Sequence, residues 1–248
     1  MSILLVDIGN TRVKWARCVH GRLHKQRAAA HAGWQAKDFA ARLLGEARGI
    51  ERVIVASVGG ARLDRRLTAA TRRVLGVAPQ FVVTARRLGG VTTSYAQPWR
   101  LGVDRIVAAI AAHHMAPRRA VCVVDIGTAM TIDLVDARGR HVGGAIIPGP
   151  GLMIQSLLHS TSGILHRAGG KAGGRSVFAR DTRAAIEQGA LYAVAAAVDR
   201  AVAEARRALG AAPLVILTGG AAPVIHPLMR SKHSSVPDLV LRGLVALI

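Results

Sequence analysis

The chain of 248 residues is 51% hydrophobic and carries a formal net charge of +20. This much apolar material supports a substantial core and excludes an intrinsically disordered protein, and the length suits one large domain or two of ordinary size. No apolar run reaches the roughly 20 residues that a membrane-spanning helix needs, and the first residues predict a strand rather than a signal peptide, because no basic segment precedes Asp7.

The positive charge raises the question of a polyanionic partner. The excess is nearly all arginine, dispersed as pairs such as Arg65-Arg66, with only 3% aromatic residues for stacking on bases. We therefore do not expect functional nucleic-acid binding, although weak, salt-sensitive binding to polyanions is expected. Cys18 and Cys122 stand singly in strand-like runs, which predicts reduced, buried thiols in a cytoplasmic protein.

The first predicted elements are a strand, a bend and a second strand. An apolar run at 3–6 leads into the bend Asp7-Ile8-Gly9-Asn10-Thr11, and residues 12–19 form a strand that a turn joins to a third. A carboxylate at the end of a buried strand is costly without a cation or hydrogen-bond donors, and the glycine lets a ligand approach the backbone. Consecutive N–H groups in a tight turn can form an anion site. The bend therefore predicts a phosphate and metal site, although a single copy is equally consistent with a solvated hairpin turn.

Residues 35–102 predict alternating helices and strands followed by one long loop. Helices are expected at 35–48 and 62–75, and strands at 53–58 and 81–84. In the second helix an apolar face is shared by Leu63, Leu67, Ala70 and Val74. Residues 85–102 are rich in glycine, threonine and proline and predict a long ordered loop, a kind of segment that often carries function.

Gly102-Val103-Asp104-Arg105 opens an apolar helix that we expect to end near residue 115. The first turn of a helix exposes backbone N–H groups, where anions collect. Asp104 and Arg105 are therefore candidate functional residues. A simple helix cap, worth about 1 kcal/mol, also explains Asp104 taken alone.

The second half repeats this plan. A strand at 121–124 leads into Asp125-Ile126-Gly127-Thr128-Ala129, and strands at 130–135 and 141–147 and a helix at 150–159 follow. Glycines between 160 and 180 predict a mobile surface loop. Asp181-Thr182 has cap chemistry for a helix at 183–209, whose small apolar face suits close packing on a neighbouring element or on a second subunit.

The last clear strand, at 214–217, runs into Thr218-Gly219-Gly220. Backbone without side chains suits contact with a flat base or a ribose, although an ordinary strand-to-helix turn explains it as well. Residues 223–248 predict a helix, a loop around Ser234-Ser235 and a short apolar end.

The repeated strand-bend-strand units predict two duplicated α/β domains, at 1–116 and 117–248, that face a central cleft. In such folds ligands bind at strand ends, where Asp7, Asp125 and Thr218 fall. Two acids with a glycine-and-threonine cradle suit ATP and Mg²⁺, whereas the P-loop and protein-kinase motifs are absent.

In order and spacing, these motifs resemble the type III pantothenate kinase family of the acetate kinase, hexokinase, Hsp70 and actin superfamily. The resemblance rests on Asp7-Ile8-Gly9-Asn10-Thr11 with Lys14, Gly102-Val103-Asp104-Arg105, Asp125-Ile126-Gly127-Thr128-Ala129 with Thr131, and Gly143-Gly144 through Pro148-Gly149. It implies two ribonuclease H-like, actin-like ATPase domains and ATP-dependent phosphorylation of pantothenate to 4′-phosphopantothenate, the first step of coenzyme A biosynthesis.

The resemblance also implies roles for individual residues. It maps ATP binding to Asp7, Ile8, Gly9, Asn10, Thr11, Arg12, Val13 and Lys14, with Thr128. It maps pantothenate binding to Tyr95, Gly102, Val103, Asp104 and Arg105, with Thr182 from the second subunit of a homodimer whose active site lies at the subunit interface. Asp104 corresponds to the general base and Asp125 to the ligand of a monovalent cation, K⁺ or NH₄⁺. Asp7 is expected to hold the Mg²⁺ that accompanies ATP, through water, because Mg²⁺ dehydrates reluctantly.

Two alternatives stay open. Some relatives of this family are described as Bvg accessory factors in transcription, which makes a regulatory, DNA-associated role conceivable for a chain of charge +20. The second alternative is a kinase of the same fold that acts on another small hydroxylated acid. The presence of every expected catalytic residue argues against an exclusively regulatory protein. The residues at 163–174 and after Met229 match no pattern of the family.

Overall fold

The computed structural model describes residues 2–45, 49–160 and 176–248. The glycine-rich stretch at 163–174 lies outside the described residues, as does the predicted end of the first helix at 46–48. Two compact units are formed: the first comprises Met1–Arg118, Ala137–Gly143 and Asp238–Ile248, and the second comprises Arg119–Asp136 and Gly144–Pro237.

The first unit is built on a sheet whose strands follow the order β3-β2-β1-β5-β6, with β4 also paired to β2. Its strands are β1 (Ser2–Ile8), β2 (Arg12–Val19), β3 (Arg22–Leu23), β4 (Arg27–Ala30), β5 (Arg52–Ser57) and β6 (Gln80–Phe81). Strand β1 lies antiparallel to β2 and parallel to β5. It is buried from Ile3 to Ile8 because it is central in the sheet, as its continuous apolar run predicted.

Helices α1 (Ala36–Leu43) and α2 (Ala61–Leu75) pack against the core that contains Val6, Ile8, Phe39 and Leu67. Helix α2 confirms the prediction except in its last turn, where Thr71 is buried and Val74 is 46% exposed. Helix α1 is shorter than predicted: Leu44 closes it, and the next residue is a glycine, a poor helix former.

Residues 85–102 contain more regular secondary structure than the predicted ordered loop. They contain strands β7 (Arg87–Leu88) and β8 (Val91–Thr93), which form a hairpin, and a 3₁₀ turn at Pro98–Arg100. Both residues of the hairpin turn, Gly89 and Gly90, have positive φ, which explains why glycine occupies them. Helix α3 (Val103–Met115) follows, as predicted.

The second unit repeats the central arrangement of the first, in which one strand is antiparallel to the next strand in the chain and parallel to a third. Its strands are β9 (Val121–Ile126), β10 (Ala129–Val135), β11 (Arg140–Pro148), β12 (Leu214–Thr218) and β13 (His233–Ser235), in the order β13-β12-β9-β10-β11. Strand β9 lies antiparallel to β10 and parallel to β12. The start of β11, Arg140 and His141, belongs to the first unit and pairs in parallel with β8.

In its described residues the second unit contains helices α4 (Pro150–Ser160), α5 (Thr182–Leu209) and α6 (Ala222–Ile225), and a 3₁₀ turn at His226–Leu228 extends the last of these. The predicted cap of α5 is confirmed, because Asp181 Oδ1 accepts a hydrogen bond from the Ala184 N–H at 2.8 Å. The loop predicted around Ser234-Ser235 is wrong: these residues belong to β13, which pairs in parallel with β12.

The apolar C-terminal end is helix α7 (Leu239–Val245), and it belongs to the first unit. Gly243 lies so close to α3 that a side chain there would collide with the Val107 carbonyl oxygen. The first unit therefore takes its last helix from the far end of the chain.

Both cysteines are free and buried, as predicted. Burial, with a smaller contribution from the charge of Asp133, raises the pKa of the Cys122 thiol to about 12. This thiol is therefore protonated at neutral pH and unreactive. In the described parts of the chain, no helix combines the length and the apolar character needed to cross a membrane.

Candidate active site

The first bend places a buried carboxylate beside a cation. Asp7 is 5% exposed and lies opposite Lys14 on the antiparallel strand β2. Lys14 Nζ is 3.8 Å from Asp7 Oδ2. Burial of a carboxylate is costly unless an opposite charge or hydrogen bonds compensate it, and the register of the two strands supplies that charge.

The bend itself, residues 9–12, is closed by hydrogen bonds on both sides of Gly9. The Gly9 N–H donates to Arg12 O at 3.0 Å, and His31 Nε2 lies 2.8 Å from Gly9 O. Since a carbonyl only accepts, His31 carries its proton on Nε2 in this contact. Asn10, Thr11 and Arg12 remain exposed, so the bend presents short polar groups and a guanidinium to solvent.

The start of α2 lies against this bend. A Cβ on Gly59 would come within 2.6 Å of Ile8 Cγ2, so only glycine allows the approach. Gly60 precedes the helix with φ of 86°. The N-terminal end of α2, with its exposed N–H groups and positive dipole, is therefore at the same edge of the sheet as the bend.

A second group of side chains surrounds the start of α3. Arg105 is 6% exposed, and its Nη1 donates to the Tyr95 hydroxyl at 3.1 Å. The Arg105 N–H donates to Asp104 Oδ1 at 2.8 Å. Gly102, and not Asp104, is the N-cap residue of this helix. Asp104 lies in the first turn, where its carboxylate accepts from one of the N–H groups that a helix start leaves without a backbone partner, so Asp104 also stabilises the start of the helix.

Neighbouring residues hold this group of side chains at the start of α3. A Cβ on Gly102 would lie 2.6 Å from Asp104 Oδ1, so the carboxylate occupies space that a side chain would fill. The Thr84 hydroxyl donates to Leu101 O at 2.9 Å and thereby holds the segment entering the helix. His141 is fully buried, with its ring centroid 5.8 Å from that of Tyr95.

The second bend has different neighbours and is one residue shorter. Asp125 lies opposite Thr131 on β10 and beside Thr218 on β12, so the three side chains share one face of the sheet. Gly219, with φ of 97°, lies so close that a Cβ would come within 2.5 Å of Asp125 Oδ1. The Gly149 N–H donates to Thr128 O at 2.9 Å, and a side chain at Gly149 would collide with Gly127 O.

The sequence did not single out His31, Thr84 or His141. Each is an isolated polar residue without a motif, and each takes its role from a partner distant in the chain. Thr182 is the first residue of α5 and half-buried. Its contribution across a subunit interface stays a prediction.

Within the described parts of the chain, no cluster of three or more histidine, cysteine, aspartate or glutamate side chains could hold a metal ion. The buried carboxylate of Asp7 is a type of ligand that a hydrated divalent cation accepts together with substrate phosphates.

Comparisons with known proteins identify the family of the chain. The family model described as type III pantothenate kinase matches residues 3–204. The type III pantothenate kinase of Nitrosococcus oceani is 38% identical over 247 residues, which cover 98% of this chain and 92% of that protein. The type III pantothenate kinase of Janthinobacterium sp. (strain Marseille) is 39% identical over 250 residues, which cover 98% of this chain and 95% of that protein.

Two solved structures share the fold at low identity. A Campylobacter jejuni protein described as a Baf family transcriptional activator matches with a TM-score of 0.60 and 20% identity, over 97% of this chain and 94% of that one. A ROK family glucokinase from Streptomyces griseus matches with a TM-score of 0.52 and 13% identity, over 100% of this chain and 98% of that one. The predicted fold, two duplicated ribonuclease H-like domains of the actin-like ATPase type, is confirmed.

Proposed function

The chain belongs to the type III pantothenate kinase family, and we propose that it transfers the γ-phosphoryl group of ATP to the primary hydroxyl of pantothenate. The product is 4′-phosphopantothenate, and the reaction opens coenzyme A biosynthesis. The protein is thus a phosphotransferase whose substrates are ATP, with a divalent metal, and pantothenate.

The ATP phosphates bind at the first bend in this proposal. Asn10, Thr11 and Arg12 offer exposed polar side chains, and the N-terminal end of α2 lies at the same edge of the sheet. Lys14 adds a positive charge beside Asp7. Asp7 would hold Mg²⁺ through water, and Thr128 on the second bend adds an ATP contact. Mg²⁺, when bound, neutralises charge that develops on the phosphate oxygens.

The observation that carries the proposal is the grouping of Asp104, Arg105 and Tyr95 at the start of α3. Phosphoryl transfer needs aligned reactants and an oriented nucleophile rather than covalent help. Asp104 would accept the proton of the pantothenate hydroxyl as that oxygen attacks phosphorus. Its carboxylate is oriented by the Arg105 N–H, and the Arg105 guanidinium, held by Tyr95, would bind an anionic oxygen of substrate.

The second bend would bind a monovalent cation, K⁺ or NH₄⁺, at Asp125. Threonine side chains flank this carboxylate on both neighbouring strands, and hard oxygen donors suit such ions. We further propose a cytoplasmic homodimer in which Thr182 of α5 completes the pantothenate site of the other subunit. The buried, free thiols support a reducing compartment.

The test is ADP release by the purified protein with ATP and Mg²⁺, with and without pantothenate, in K⁺ and then Na⁺ buffer, with mass analysis of the product. Pantothenate-dependent turnover that favours K⁺ is expected. A folded protein without such turnover would contradict the proposal. A screen of other small hydroxylated acids would then test the second kinase hypothesis, and salt-resistant DNA binding would support the regulatory one.

A further inference from the structure

Arg86 binds the loop that carries Tyr95. Its Nη1 donates to Thr93 O at 3.0 Å and to Tyr95 O at 2.5 Å, and its Nη2 donates to Ala96 O at 2.9 Å. The Thr93 N–H donates to Arg86 O at 3.0 Å, so both the backbone and the side chain of Arg86 bind the loop at residues 93–96. One guanidinium thus satisfies three carbonyls within four residues.

Planar geometry makes arginine suited to this task. Its five N–H donors lie in a rigid fork, and one fork can serve several acceptors at once. Apart from the bonds of Arg86 and of the Tyr95 hydroxyl, the bonds that hold the segment from Ser94 to Ala96 among the described residues are those of Ser94 with His141 O and Val142 O and that of the Tyr95 N–H with the Thr93 hydroxyl. The carbonyl of Tyr95 is therefore placed by Arg86.

The side chain of Tyr95 is in turn tied to the candidate active site. Its hydroxyl accepts from Arg105, and its ring lies against that of buried His141. Because the backbone of Tyr95 is held at one end and the hydroxyl at the other, a shift of the loop moves the tyrosine relative to Arg105.

We propose that Arg86 is a positioning residue of the pantothenate site, which sets the place of Tyr95 without touching the substrate. The inference rests on the proposed function. Arg86 is solvent-exposed, so water can replace its bonds to the loop, and its removal costs the whole fold little. Loss of loop order at the site would therefore appear in kinetics rather than in global stability.

The chain offers a matched control in the next residue. Arg87 is also exposed and carries the same charge, but its guanidinium has no hydrogen-bond or ion-pair partner among the residues that the structure describes. Arg87→Ala therefore removes the same charge and area without loosening the loop.

The experiment compares Arg86→Ala, Arg86→Lys and Arg87→Ala in steady-state assays, with melting temperatures measured in parallel. We expect Arg86→Ala to raise the KM for pantothenate by about tenfold or more, with the KM for ATP and the melting temperature nearly unchanged. Arg86→Lys should behave like the alanine variant, because an ammonium cannot span three carbonyls, and Arg87→Ala should behave like the wild type. A wild-type KM in Arg86→Ala or in Arg86→Lys would overturn the inference.

A double-mutant cycle with Tyr95→Phe tests whether Arg86 acts through Tyr95. The effect of Arg86→Ala should shrink in the Tyr95→Phe background, whereas full additivity would overturn the inference. Failure of the proposed function is distinct, because it would appear as absence of pantothenate-dependent turnover in the wild type.

Discussion

Substitution of Gly102 tests whether the position of the Asp104 carboxylate governs turnover. An alanine Cβ would lie 2.6 Å from Asp104 Oδ1, whereas ordinary contact begins at 3.4 Å, so the carboxylate must retreat by about 0.8 Å. The same oxygen accepts the 2.8 Å hydrogen bond from the Arg105 N–H, so the movement disturbs that bond as well. A misplacement of about 1 Å in a reacting group costs up to about a hundredfold in rate, so we expect Gly102→Ala to lower kcat by about ten- to a hundredfold.

The fold should survive this change. Gly102 has φ of −52° and ψ of 136°, which alanine adopts without strain, and an alanine N-cap costs at most about 1 kcal/mol. The assay is kcat at saturating pantothenate and ATP, together with urea unfolding. Gly151→Ala is the control, because its added Cβ would meet no atom within 4 Å. An unchanged kcat in Gly102→Ala would refute the reasoning about Asp104.

Three further predictions concern single carboxylates. Asp104→Asn should keep the fold and lose at least about a hundredfold in kcat, as loss of a general base does; near-normal turnover of the folded variant would refute the role. Asp125→Asn should abolish the difference in rate between K⁺ and Na⁺ buffers, and an unaltered K⁺ response would contradict the cation site. Partial burial of Asp199 opposes ionisation, but hydrogen bonds from the Ser231 hydroxyl and the Arg230 and Ser231 N–H groups, with the charge of Arg230, lower its pKa below the ordinary value. A carboxyl group whose pKa is depressed by folding stabilises the folded state at pH values above its ordinary pKa, and this stabilisation is lost as the pH falls through the folded-state pKa. Urea unfolding should therefore show Asp199→Asn to be less stable than the wild type at pH 7. The difference in the free energy of unfolding between the two proteins should disappear in acid.

The sequence predicted the local structure around the candidate site residues. Apolar runs that end in an acid and a glycine marked both bends, and the structure places Asp7 and Asp125 at the ends of β1 and β9. The start of α3 was predicted at Gly102, which is its N-cap. These features are local, because strand period, glycine and helix-start chemistry act over a few residues.

The sequence could not predict which distant residues hold these parts in place. Nothing in the chain marked His31 as the partner of Gly9 O, and the arginine pair at 86–87 gave no sign that one member binds the Tyr95 loop. The two bends also looked alike, yet strand register gives Asp7 a lysine neighbour and Asp125 threonine neighbours.

Sequence patterns were enough to identify the duplicated strand-bend-strand plan, the residues proposed to carry the chemistry and the resemblance to the kinase family. The strand position of Ser234 beside β12 and the packing of the C-terminal helix α7 on α3 of the first unit became visible only in the folded chain. A short polar strand and a short apolar helix are stable only against a partner, and in both cases that partner lies far away in the chain.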